Sequence, residues 1–206
     1  KSGLCGVLIG AESLDDQILK EVFNKKGQPA QRLKDLIIRC MKNDIFTSTS
    51  WIYPMPQWRR EMREQIKDFL LSCYPRHNEE AGSITIIPSV LTPNCEWFYD
   101  YKSFGFDIPD LDRFYKSYIE TKMSVLTPRQ TLGDRGFTLE GRPFLEIARE
   151  SDEFQNELKE LGLSLNMTDE WMLLGSLSGL SMGDFKDLSL ECIIKGNYIR
   201  LGEILR

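Results

Sequence analysis

The apolar side chains of this chain recur with two different periods. Leu33, Leu36, Ile37, Cys40 and Met41 follow the three-four spacing of a single helical face. They predict a helix entered through Pro29, whose missing N–H suits a first turn. Trp58, Met62, Ile66, Phe69, Leu70 and Cys73 predict a second helix over Gln57 to Tyr74, stopped by Pro75. Leu111, Phe114, Tyr115, Tyr118 and Ile119 share one face of a third, from Pro109 to about Lys122. Shorter helical patterns run from Leu14 to Lys25, behind a Ser13 and Asp16 capping pattern, and from the candidate cap Ser151 to Leu161. Thr168 opens one more, through Trp171, Leu174 and Leu177.

Elsewhere the pattern shortens. Leu4 to Ile9, bounded by Gly3 and Gly10, reads as a buried strand, as do Ser83 to Pro88 and the aromatic run Cys95 to Tyr101. Leu188 to Ile194 and Tyr198 to Leu205 flank Lys195-Gly196-Asn197, and the arrangement reads as a β-hairpin. Phe144 to Arg149 is ambiguous between helix and strand. Asn43 to Pro56 breaks both periods and reads as a connector, and residues 124–143, with Pro128, Gly133, Gly136, Gly141 and Pro143, read as a long loop. The expected class is α+β, predominantly helical, with short strands and a C-terminal β-hairpin. One domain over 1–206 is expected, with a split near 124–143 as the alternative.

Composition supports a packed core. The 206 residues are 41% apolar, with eleven Phe, seven Tyr and four Trp, enough bulk for a folded domain rather than a disordered segment. No run approaches eighteen apolar residues, so no membrane-spanning helix is expected. The chain begins at Lys1 rather than Met, so a piece of a longer protein, or a processed one, is expected. Cys5, Cys40, Cys73, Cys95 and Cys192 form no CxxC pair and are odd in number, so free thiols in a reducing, intracellular compartment are expected. Asn166-Met167-Thr168 fits a glycosylation acceptor and pulls the other way.

Charge is uneven. The net charge is -5. Residues 1–67 nevertheless hold 12 basic against 8 acidic side chains, and residues 151–206 hold 5 against 10. The basic excess concentrates between Lys20 and Lys42, where Lys20, Lys25, Lys26, Arg32, Lys34, Arg39 and Lys42 outnumber Glu21 and Asp35. Such a stretch is either the wet side of an amphipathic helix or a nucleic-acid-binding face.

Catalytic signatures are sparse. GxGxxG, GxxxxGK[ST] and HExxH do not occur, and a single His with dispersed Cys offers no zinc spacing. Ile108-Pro109-Asp110 followed by Glu120-Thr121-Lys122 resembles, in spelling, the motif of PD-(D/E)xK nucleases. The resemblance implies Mg²⁺ or Mn²⁺ held by Asp110 and Glu120, with Lys122 near the attacked phosphate and His77 as an upstream participant. That chemistry needs an alternating strand, whereas the spacing around Glu120 is helical. Without the motif no cofactor is implied.

Three features suggest binding instead. Trp51, Tyr53, Pro54, Met55, Pro56 and Trp58 concentrate aromatics in one connector, and aromatics dominate interface energetics. Arg129, Arg135 and Arg142 punctuate the Gly-rich loop, where guanidinium groups can grip an acidic partner. Gly175, Gly179 and Gly183 make a small-residue strip that is either a helix contact or a fraying end. The expected function is therefore a non-catalytic domain that binds another macromolecule, a protein, through its aromatic and arginine-bearing loops. The nuclease and nucleic-acid binding through Lys20 to Lys42 are the alternatives.

Overall fold

The computed structural model describes residues 3–78, 81–124, 135–163, 180, 184–185, 188–189, 191–192 and 195–204. Three parallel strands, β1 (Gly6–Glu12), β2 (Phe46–Ile52) and β3 (Gly82–Ile87), form a sheet in that order, with β2 in the middle. The crossovers contain α1 (Asp16–Glu21), α2 (Ala30–Lys42) and, after β2, α3 (Arg60–Cys73). Next come α4 (Glu96–Tyr99), β4 (Phe106–Asp107) and α5 (Leu111–Ser124). A small antiparallel sheet joins β4 to β5 (Thr138–Leu139) and β6 (Arg142–Pro143), and α6 (Phe144–Glu160) follows. Near the end lies α7 (Tyr198–Ile204).

The architecture is mixed rather than predominantly helical, because the stretch expected to be a connector is the central strand. Its alternation is hidden by hydroxyls. Thr47, Thr49, Trp51 and Tyr53 all turn inward and are buried, yet two of the four are polar. Their hydroxyls and carbonyls are satisfied locally: the Tyr74 hydroxyl donates to Thr47 O at 2.9 Å, and the Trp51 indole N–H donates to Thr49 Oγ1 at 3.0 Å. On the reverse face Ser83 Oγ bonds Ser48 Oγ at 2.9 Å. A buried hydroxyl with such a partner avoids most of its desolvation cost. Gly82 is required where β3 begins, since an added Cβ would run into the Thr47 carbonyl and the Tyr74 ring.

The inward stripe meets α2, α3 and α6. Ile37, Ile66, Phe69, Leu70, Phe154 and Leu158 join Trp51, Tyr53, Ile84 and Ile86 in one apolar cluster, so all three helices cover the same face of the sheet. Crossovers of one hand between strands added in one direction place the connecting helices that way. A second cluster gathers Leu91, Phe106, Phe114, Phe137, Leu139, Phe144 and Ile147 around the small sheet, with Phe98 stacked on Phe114 at 5.6 Å.

Several expected elements differ. The C-terminal hairpin is not formed: Tyr198–Ile204 is helical, and residues 188, 189, 191 and 192 are helical as well. Lys195-Gly196-Asn197, taken as a hairpin turn, separates helical segments: Gly196 has φ 65°, and Asn197 Oδ1 accepts the Arg200 N–H at 3.2 Å as an N-cap. Cys95 to Tyr101 contains a helical turn rather than a strand: the Phe98 N–H donates back to Cys95 O at 3.0 Å, and Trp97 and Phe98 pack on Phe106 and Phe114. Ser151 is no cap; it lies inside α6, where Phe144, Ile147, Ala148, Phe154 and Leu158 make one continuous buried stripe. On α1 the cap is Asp15, accepting from Gln17 and Ile18, rather than Ser13. The α5 stripe has the expected period, but only Phe114 is buried, while Leu111, Tyr115 and Ile119 are exposed. The glycosylation triplet, the small-residue strip and the helix from Thr168 lie outside the described residues.

This packing separates two large apolar residues, one buried and one exposed. Trp51→Ala is expected to cost about 3–5 kcal/mol, whereas Leu111→Ala stays within about 0.5 kcal/mol, read from urea unfolding midpoints of the two variants.

Candidate functional site

Two arrangements stand out, one internal and one at the surface. The internal one lies at the carboxyl end of β2. Tyr53 follows the strand with its ring buried edge-on against Trp58 and Phe154, at 5.4 and 5.2 Å between centroids. Its hydroxyl donates to Glu150 Oε1 at 2.7 Å, and Arg142 Nη1 donates to Glu150 Oε2 at the same distance. The Arg142 guanidinium lies over the Trp58 ring at 5.1 Å, and Arg63 over Phe154 at 5.0 Å. Arg63 also pairs with Glu157, which accepts from Lys67 at 2.9 Å.

The electrostatics follow from this crowding. Burial, then the hydrogen bond and charge of Glu150, push the Tyr53 phenol well above its ordinary value. Tyr74 is raised chiefly by burial, as is the Cys73 thiol, pushed up to about 12. Burial alone would raise Glu157, but Lys67 and Arg63 outweigh it and hold the carboxyl below the usual range.

Three of the sequence-derived binding residues, Tyr53, Trp58 and Arg142, are thus brought together, but facing one another. Trp51 is wholly buried beneath α3, with its ring edge-on to Phe69 at 6.2 Å. Arg135 stands over Phe144 at 5.1 Å and bonds Thr121, so it belongs to the second cluster. Burial lowers its pKa. Arg129 lies outside the described residues. Trp51, Tyr53, Trp58, Arg135 and Arg142 are internal fastenings.

The nuclease set is not assembled. Asp110 accepts the Arg113 N–H at 3.0 Å, a capping bond at the start of α5. Glu120 and Lys122 lie along α5, so Asp110 and Glu120 are about 15 Å apart along the axis, too far to share an ion. His77 sits in an exposed turn with φ 55°, its N–H bonded to Gly162 O at 2.7 Å. Among the described residues no group of three or more His, Cys, Asp or Glu is placed to hold a metal.

The surface arrangement is a groove of about 850 Å³ beside β1. One wall is Leu8, Ile9 and Gly10; the other is Arg32, Leu33 and Leu36 of α2; residues 24–28 close it. Positive backbone φ at Asn24 and Gly27 folds that closing loop back toward the strand. Lys25 turns inward, binding Gly10 O and pairing with Glu12 at 3.3 Å. Lys26 and Arg32 are exposed and have no carboxylate partner among the described residues. The basic excess between Lys20 and Lys42 signalled this region; that it flanks a sheet edge had no sequence signal.

No helix among the described residues is long and apolar enough to cross a membrane. Comparison with protein families, curated proteins and solved structures finds no match to this chain.

The raised phenols carry a linkage. A folded-state pKa above the unfolded value keeps its full stabilisation below the unfolded value, about 10 for tyrosine, and loses it as pH rises through the interval above. The urea midpoint is therefore expected to fall from about pH 9 to about pH 11. Tyr53→Phe should destabilise by about 1–3 kcal/mol at neutral pH, by stranding Glu150, yet flatten the alkaline decline.

Proposed function

We propose that this chain is a non-catalytic, intracellular domain that binds another protein in the groove between β1, the loop 24–28 and α2. The observation that carries the reading is the combination of apolar lining, Leu8 at the strand edge and Leu33 and Leu36 of α2, with the cations Lys26 and Arg32, which have no carboxylate partner among the described residues. Leu8 is 63% exposed and Leu36 46%, unusual for leucines that share a groove. Cations beside an apolar wall suit an acidic polypeptide. Tyr53, Trp58 and Arg142 of the aromatic and arginine-bearing segments are engaged with one another inside the fold, which favours the groove as the binding surface. Five free cysteines, two of them buried, support a reducing compartment.

Nucleic acid is the competing occupant of the same basic segment. Single strands are held by cations with aromatic stacking platforms, and the groove is lined by leucines instead.

Fluorescence anisotropy with the intact chain separates the two. A labelled peptide of alternating Glu and Val is expected to bind, and the pair Lys26→Glu and Arg32→Glu to weaken it by about tenfold or more. Tighter binding of an oligothymidylate, falling steeply with salt, would replace the protein reading by the nucleic-acid one. Binding of neither probe would sink both.

A further inference from the structure

We infer that the groove is used by strand addition: an extended acidic segment of the partner pairs with the open edge of β1 as a fourth strand of the sheet. This rests on the protein-binding reading above and names its mode and the chemistry of its partner. The Phe46 N–H donates to Cys5 O at 3.0 Å across the β1–β2 seam, and the pairing is parallel and in step from Gly6 to Gly10. Backbone groups of Cys5, Val7 and Ile9 therefore turn toward β2. In an extended strand those of Gly6, Leu8 and Gly10 turn the opposite way, into the groove. No strand pairs with that side among the described residues.

The two edges of the sheet are treated differently. On β3 the outward Ile86 N–H meets Gln155 Oε1 of α6 at 3.4 Å. On β1 the Lys25 ammonium meets Gly10 O at one end of the strand, and among the described residues no side chain bonds the outward groups of Gly6 and Leu8. Edges of sheets are ordinarily covered, charged or kept very short, because unpaired N–H and C=O groups template another strand. β1 is seven residues long, and Gly6 and Leu8 are exposed in its first half. Lys25 thus sets where the added register must stop and leaves Gly6 and Leu8 to make the bonds.

Side chains of an added strand alternate between the two faces. On the helix side they meet Leu33 and Leu36, and on the other face they lie beside the exposed Leu8. Lys26 and Arg32 favour Glu or Asp over basic residues. A second copy of this chain would set the same cations against each other, and nucleic acid has no use for a backbone edge. An alternating acidic and apolar peptide fits all of these demands, and main-chain pairing with pockets for alternate side chains is a general mode of peptide capture.

The test uses the intact chain and the Glu-Val peptide, alongside two forms N-methylated at alternate residues so that either register is blocked in one of them. Strand addition predicts that at least one methylated form loses about tenfold or more in affinity, and that Gly6 and Leu8 amide exchange slows when the parent peptide is bound. Leu8→Pro removes one outward N–H while sparing the β2 ladder, and should weaken the parent peptide equally with the urea midpoint nearly unchanged. If that variant does not fold, the methylated peptides still decide. Equal binding of all three peptides, still abolished by the Lys26→Glu and Arg32→Glu pair, would overturn strand addition and leave the groove reading intact. No binding of the parent peptide would remove both. A chain that doubles its mass with concentration and loses peptide binding as it does so would assign the edge to a second copy instead.

Discussion

The inward stripe of β2 is the constraint on which the rest of the fold depends. A central parallel strand is closed on both edges by neighbours, so everything on its helix side must be buried and every polar atom there must be paired. Thr47 and Thr49 meet that demand through Tyr74, Trp51 and the strand itself, and Trp51 fills the space beneath α3. At the end of the stripe the Tyr53 hydroxyl cannot be satisfied by the sheet. It reaches 97 positions along the chain to Glu150, and with that bond the first half of the molecule fixes where α6 must lie. Arg142 shares the same carboxylate, which anchors the small antiparallel sheet to the large one.

Placing α6 has a consequence at the other end of the sheet. Its Gln155 side chain closes the outer edge of β3, and Phe154 and Leu158 complete the layer that α2 and α3 began. Among the described residues the sheet has three strands, which leaves the outer edge of β1 open. The groove there is a by-product of topology: the crossover from β1 to β2 carries two helices, and the turn between them must bend back over the strand it left. Lys25 is carried to Gly10 by that turn, and Lys26 and Arg32 are carried to the rim.

How much of this was legible depends on what each segment buries. The helices α2 and α3 were readable because each has one wet and one dry side, so their stripes appear directly in the order of residues. β2 was not, because a strand buried with its own hydroxyl partners need not be apolar, and Thr-Ser-Thr-Ser looks like a loop until Tyr74 is known to be beside it. The C-terminal turn failed for a related reason. Gly followed by Asn serves equally as a hairpin turn and as the stop of one helix with the cap of the next, and only the Arg200 N–H, bonded to Asn197, decides between them. α5 shows the reverse error: its period was correct, but periodicity does not say whether a neighbour exists to cover Leu111 and Ile119.

The arginines make the same point about function. Read along the chain, Arg142 and Arg135 looked available to a partner and Arg32 looked like the wet side of a helix. In three dimensions a guanidinium goes where a carboxylate or a ring lies within reach. Arg142 has Glu150 and Trp58, Arg63 has Glu157 and Phe154, and Arg135 has Phe144. These contacts hold the carboxyl ends of the strands closed. Among the described residues Arg32 and Lys26 have no such neighbour, and Glu12 is already matched by Lys25. These cations stand beside a strand edge that is also unpaired among the described residues. One acidic strand would answer both deficits, since it brings carboxylates and amide groups in the same length of chain, whereas a small anion or a nucleic acid would answer only one.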